Sequence, residues 1–194
     1  MSVALCVPCY GNLPTRAFDS ICKLITKSEN KITEFYSTDK ELTFVARNNL
    51  AKKFLEGLAE WSFWIDSDMV VPYYALDTLI SAAKVNDALF MTGVTNLRGQ
   101  DLPAIFARQP GVKYKNEYSA NPVYIKNTCK IDFCGLFCCV IHRDAFRKLE
   151  FPFFRFINLE DKSTVLEDFY LCKSLSDAGV DLFASPLVSC EHLN

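Results

Sequence analysis

The sequence predicts a single α/β domain whose mixed, mainly parallel sheet is flanked by helices. From Ser2 to Gly93, short apolar runs alternate with amphipathic stretches in the order β-α-β-α-β-α-β, the pattern of strands joined by crossover helices. Half of the 194 residues are hydrophobic and 13% are aromatic, enough to bury a large core. After Gly93 the alternation lapses, so the sheet is expected to be mixed rather than wholly parallel.

Ser2–Val7 is an apolar strand that runs into the loop Pro8-Cys9-Tyr10-Gly11-Asn12. Thr15 is placed to cap a helix whose apolar face is Ala17, Phe18, Ile21, Leu24 and Ile25. Ile32–Tyr36 is a second strand, ending at Ser37-Thr38-Asp39. Residues 42–60 form a second helix with Val45, Ala46, Leu50, Phe54, Leu55 and Leu58 inward and Arg47-Asn48-Asn49 in its first half. Trp61–Ile65, aromatic and β-branched, predicts a strand buried on both faces. Pro72 suits the first turn of a helix reaching Lys84, because its missing N–H would be unpaired there anyway. Ala88–Gly93 is the next strand.

Val94–Lys130 holds Gly99, Pro103, Pro110, Gly111 and Pro122 and keeps no period, so it is expected to be functional or to carry short strands of its own. Residues 131–141 predict one buried strand, Arg143–Leu149 a short helix, and Phe151–Phe156 an aromatic packing knot. Glu167-Asp168 opens a helix to Ala178, with Gly179 as its stop. Val180–Ala184 is the last strand, followed by Ser189-Cys190-Glu191-His192.

A net charge of −2 gives no sign of a nucleic-acid partner or an anionic membrane. No charged-then-apolar leader is visible, and the longest apolar run, Phe133–Ile141, has nine residues, so no transmembrane segment is expected. Nine scattered cysteines read as reduced core thiols in a cytoplasmic protein, although Cys6-Val7-Pro8-Cys9 has the spacing of a redox pair. Neither a G-x-G-x-x-G after the first strand nor a P-loop is present, which argues against a dinucleotide fold or a P-loop enzyme. His142, after a buried strand, reads as a surface or helix-end residue.

The chemistry concentrates at Asp66-Ser67-Asp68, where a buried strand opens into a loop. Ligands of α/β sheets bind at that strand end. Two carboxylates aimed at one point repel, and both stay ionised only beside a cation or hydrogen-bond donors. A hard divalent cation, Mg²⁺ or Mn²⁺, meets that need; a solvated turn with capping aspartates is the alternative.

Pro8-Cys9-Tyr10, Ala46-Arg47-Asn48, Asp66-Ser67-Asp68, Gly135, Glu167-Asp168 and His192 occur in an order that resembles the GT-A nucleotide-sugar glycosyltransferases, especially the large inverting family. Trp64–Asp68 and Glu167–Gly179, with His192 following, are the most specific pieces. The resemblance implies a GT-A-like, Rossmann-like domain, with residues 1–93 as the nucleotide-binding half and 94–194 as the sugar and acceptor half. It implies nucleotide contacts from Pro8, Cys9, Tyr10, Asn12, Arg47, Asp66 and Ser67, and a sugar contact at Gly135. Mn²⁺ or Mg²⁺ would be held by Asp66, Asp68 and His192. Asp168, with Glu167 second, would take the proton of an acceptor hydroxyl as a UDP- or GDP-linked hexose is transferred with inversion to a glycan or other acceptor. Where the family often carries two aspartates to read the base, this chain has Ser37-Thr38-Asp39.

Two other classes fit parts of the pattern. Asp66-Ser67-Asp68-Met69-Val70 matches the signature of haloacid-dehalogenase phosphatases, with Asp66 as nucleophile, although that motif normally lies on a first strand. A non-catalytic sugar-nucleotide-binding module would keep Asp66 and Asp68 without needing Asp168.

Overall fold

The computed structural model describes residues 1–160 and 162–193. The chain begins β1 (Ser2–Val7), α1 (Thr15–Lys27), β2 (Lys31–Ser37), α2 (Thr43–Glu56), β3 (Trp61–Ile65), β4 (Met69–Val70), α3 (Ala75–Val85) and β5 (Phe90–Val94). It continues through β6 (Ile105–Ala107), β7 (Asn121–Pro122), β8 (Cys129–Ile131), β9 (Phe133–Cys134), β10 (Cys138–His142) and α4 (Arg143–Arg147). It closes with β11 (Ile157–Asn158), β12 (Thr164–Val165), α5 (Glu167–Asp177), β13 (Leu182–Ser189) and β14 (Glu191–His192).

The central sheet has seven strands in the order β2-β1-β3-β10-β5-β13-β8. β2, β1 and β3 are mutually parallel and β13 is parallel to β5, whereas β10 opposes both β3 and β5 and β8 opposes β13, so five of the seven run one way. The fold is therefore the single α/β domain with a mixed sheet that the alternation predicts. β3 is an interior strand between β1 and β10, and every one of its residues is buried. Trp64 packs against Phe154 and Phe146 at ring-centroid distances of 5.7 and 6.2 Å, and its indole N–H donates to Ser62 Oγ at 2.9 Å. A buried indole keeps its polar end satisfied in this way.

Several local expectations change. Residues 131–141 are not one strand. The chain must pass from β8 at the sheet edge to β10 between β3 and β5. On the way β9 joins a small sheet with β6 and β7, supplied by the irregular middle segment. In α1 the buried stripe is Ala17, Ser20, Ile21 and Leu24, while Phe18 and Ile25 are exposed; Pro14, not Thr15, precedes the first turn. Ser20 belongs inside because its hydroxyl donates to Ala17 O and accepts from Val71 N. α2 stops at Glu56, leaving Leu58 exposed. The guanidinium of Arg143 donates to the carbonyls of Phe54, Leu55, Gly57 and Ala59 there, satisfying the orphan acceptors of a helix end. Pro72 stands in a turn ahead of α3, with Ala75 N donating to Pro72 O.

Among the described residues no helix is long and apolar enough to cross a membrane. The nine cysteines are unpaired; Cys6 points inward and Cys9 Sγ donates to Gly11 O, so the two thiols of the C-x-x-C have separate surroundings.

Candidate active site

The turn that follows β3 carries Asp66, Ser67 and Asp68. It is held by Asp66 N donating to Phe137 O and by Met69 N donating to Asp66 O. Beyond it the short strand β4 pairs with β14 in antiparallel register, His192 opposite Met69 and Glu191 opposite Val70. Leu193 N also donates to Asp68 O at 2.9 Å. That register brings His192 Nε2 to 3.3 Å from Asp68 Oδ2. β14 is anchored from both sides: Cys190 N donates to Val94 O, and Arg16 Nη2 on the first turn of α1 meets Glu191 at 2.6 Å.

Arg47 does not line the cleft. It is 3% exposed, and its terminal nitrogens meet both oxygens of Asp66 at 2.7 and 3.0 Å and Glu167 Oε1 at 2.6 Å. Burial works against its charge, but the carboxylates of Asp66, Glu167 and Asp168 outweigh that and raise its pKa further. Its Nε has no partner among the described residues. The guanidinium thus bolts the turn after β3 to the first turn of α5. Asn48, its neighbour, receives Phe153 N and Phe154 N at its side-chain oxygen and donates to Phe154 O, which fixes the aromatic knot.

Asp168 follows Glu167 at the start of α5, where helix N–H groups favour an acid. Its Oδ1 accepts from Phe169 N at 2.8 Å. A Cβ built on Gly135 would lie 3.7 Å from its Oδ2 and 3.2 Å from Phe137. A side chain at Gly135 would therefore press on the Phe137 ring and touch that carboxylate. Burial pushes the Asp168 carboxyl up to about 7, with Arg47 pulling against it and Glu167 adding to it. Glu167, by contrast, is buried and tied to Arg47.

Two cavities open on either side of the Asp68–His192 pair. The smaller, about 200 Å³, is lined by Pro8, Cys9, Tyr10, Asp66, Ser67 and Asp68 among others. The larger, about 580 Å³, is lined on the His192 side by residues 94–97 and 99–101, Asp101 among them, and by Tyr124. Asn12 is exposed on the same loop as Tyr10 but lines neither cavity. Of the expected nucleotide residues, five therefore gather with Asp68 on one cavity, while Arg47 lies behind Asp66.

For a divalent cation, the donor set is short. Among the described residues no group of three or more His, Cys, Asp or Glu converges. Asp66 faces Arg47, whose cation already compensates it. Asp68 and His192 supply one oxygen and one nitrogen 3.3 Å apart, close to the roughly 3 Å edge of an octahedron with ~2.1 Å bonds. A two-ligand site fits a cation that is completed by substrate phosphates. Arg98, which belongs to no motif in the sequence, ion-pairs with the same Asp68 oxygen. Glu41 and Thr43, just before and at the start of α2, also line the smaller cavity and carry no recognisable motif.

No protein-family model matches the chain, and no curated protein matches it in sequence. Solved structures do resemble it. The crystal structure of A197 from STIV superposes with a TM-score of 0.71 at 18% identity, over 100% of this chain and 85% of that one. The crystal structure of GalNAc-T7 with UDP, GalNAc and Mn²⁺ superposes with a TM-score of 0.65 at 11% identity, over 100% of this chain and 44% of that one. At those identities the likeness speaks for architecture alone, and the architecture is GT-A-like.

Proposed function

We propose that the protein is a metal-dependent glycosyltransferase that moves a hexose from a UDP- or GDP-linked donor to an acceptor hydroxyl with inversion. The observation that carries this reading is the meeting of Asp68 and His192 at the mouth of the cavity lined by Pro8, Cys9, Tyr10, Asp66 and Ser67. That cavity is our site for the nucleotide, in the half formed by residues 1–93. The larger cavity beyond His192, built from the half formed by residues 94–194, is our site for the sugar or acceptor side.

The residues divide the work. Asp68 and His192 are the ligands for Mn²⁺ or Mg²⁺, which when bound neutralises charge on the diphosphate leaving group. Asp66 touches the nucleotide or the metal's shell and is oriented by Arg47, which acts through it rather than on the donor. Gly135, our sugar contact, packs beside Asp168 and the Phe137 ring, and neither Gly135 nor Asp168 lines the two cavities. Asp168 takes the acceptor proton: a base whose pKa lies near working pH combines availability with basicity. Glu167 holds Arg47 and is not free to do so.

Calorimetry of UDP and GDP with and without Mn²⁺, followed by assay of the corresponding donors for hexose transfer, tests the reading. One nucleotide should bind measurably, and more tightly with Mn²⁺. No binding of either nucleotide under both conditions would refute it.

A further inference from the structure

We propose that Arg98 is the site's mobile cation: it neutralises Asp68 while the site is empty and turns to the diphosphate of the donor when a divalent cation takes Asp68. This inference rests on the transferase reading above. Arg98 Nη2 meets Asp68 Oδ2, the same oxygen that His192 Nε2 approaches at 3.3 Å. A metal ligated by Asp68 and His192 must therefore displace that guanidinium, so Arg98 and the metal compete for one carboxylate.

The segment bearing Arg98 is built to present it. Asn96 bridges to Pro103, Leu97 N donates to Leu102 O at 2.7 Å, and Gln100 N donates to Leu97 O at 3.0 Å. Gly99 completes the turn at φ +67°, a conformation that suits glycine. Arg98 thus stands at a hairpin tip, between the larger cavity, lined by its neighbours Leu97 and Gly99, and the smaller one, lined by Asp68. Its side chain is 56% exposed, and an ion pair of that kind is weak and readily exchanged.

The nearby cations are committed elsewhere. Arg47 is enclosed between Asp66 and Glu167, and Arg16 holds Glu191. The carboxylates of Asp66, Asp68 and Glu41 line the smaller cavity, so an entering diphosphate meets acids there. Released from Asp68, the planar guanidinium of Arg98 would match phosphate oxygens through paired N–H donors. One exchange then removes a repulsive charge from the wall and adds an attractive one.

The test separates the two halves of the exchange. Electron paramagnetic resonance of Mn²⁺ titrated with the full chain reads metal binding without nucleotide. Calorimetry with UDP and with GDP at saturating Mn²⁺, where Asp68 is occupied by the metal, reads diphosphate binding. Arg98→Ala should bind Mn²⁺ alone about 2- to 5-fold more tightly, the worth of an exposed ion pair. It should bind the nucleoside diphosphate about 10-fold more weakly, the worth of a charge-assisted hydrogen bond. Arg98→Lys should recover part of the nucleotide affinity, because it keeps the charge but not the fork. Affinities that shift in the same direction, or an unchanged Mn²⁺ affinity, overturn the proposal. Failure of the parent chain to bind either nucleotide, with or without Mn²⁺, defeats the transferase reading and the diphosphate half with it. The Mn²⁺ titration of Arg98→Ala still decides whether Arg98 and a metal compete for Asp68.

Discussion

His192 Nε2 lies 3.3 Å from Asp68 Oδ2, although 124 positions separate them in the chain. The contact follows from one short antiparallel ladder, in which His192 is paired with Met69, the residue after Asp68. If this pair is the protein's share of a metal site, His192→Ala should weaken nucleoside-diphosphate binding mainly when Mn²⁺ is present. Calorimetry in the two conditions checks this, and an equal loss without metal would count against a ligand role.

Asp168 is the proposed base, so its loss should separate chemistry from binding. Asp168→Asn keeps the shape and removes the proton acceptor. Transfer should fall by about 10²- to 10⁴-fold while donor affinity with Mn²⁺ stays near that of the parent. Asp68→Asn should lose binding first and transfer as a consequence. Transfer by Asp168→Asn at the parent rate would sink the assignment. A parent protein that binds donor but never turns it over would favour the binding module, whereas a phosphorylated Asp66 would favour the phosphatase.

The raised carboxyl also predicts a pH signature. Turnover should climb as pH rises through about 7, as Asp168 loses its proton, and that limb should vanish in Asp168→Asn. The stability effect has the opposite sense. Because the folded state holds the proton more tightly than the unfolded chain, stability falls as pH rises from the ordinary carboxylate range through about 7. Thermal melts should therefore show Asp168→Asn more stable than the parent at pH 8 and nearly equal to it at pH 4.

Arg47 carries a structural prediction. Removing it leaves Asp66 and the buried Glu167 without their shared cation. Arg47→Ala should cost about 3–5 kcal/mol in chemical denaturation, the usual result of orphaning buried charge. Arg47→Lys should rescue little, since one ammonium does not span two carboxylates as a guanidinium does. A loss below about 1 kcal/mol would show that the bolt between β3 and α5 is dispensable.

Local composition by itself determined the strand and helix sequence up to Gly93 apart from the two-residue β4, because buried strands and amphipathic helices write their periods into neighbouring residues whereas β4 exists only through its pairing with β14. Trp61–Ile65 was legible as a fully buried strand for that reason, and Asp66-Ser67-Asp68 as the loop at its mouth. Only the tertiary structure decided what depends on distant pairing. The splitting of residues 131–141 follows from where β8 and β10 find partners, which no local period records. The inward position of Arg47 could not be read either: an arginine in a helix's first half looks the same whether it faces a ligand or two buried carboxylates from elsewhere. Arg98 left no trace in the sequence, because its meaning comes from a hairpin tip brought against Asp68. The pairing of His192 with Asp68 was suggested by resemblance, but its physical cause is the two-residue ladder between Met69–Val70 and Glu191–His192, and such long-range register is set by packing rather than by neighbours in sequence.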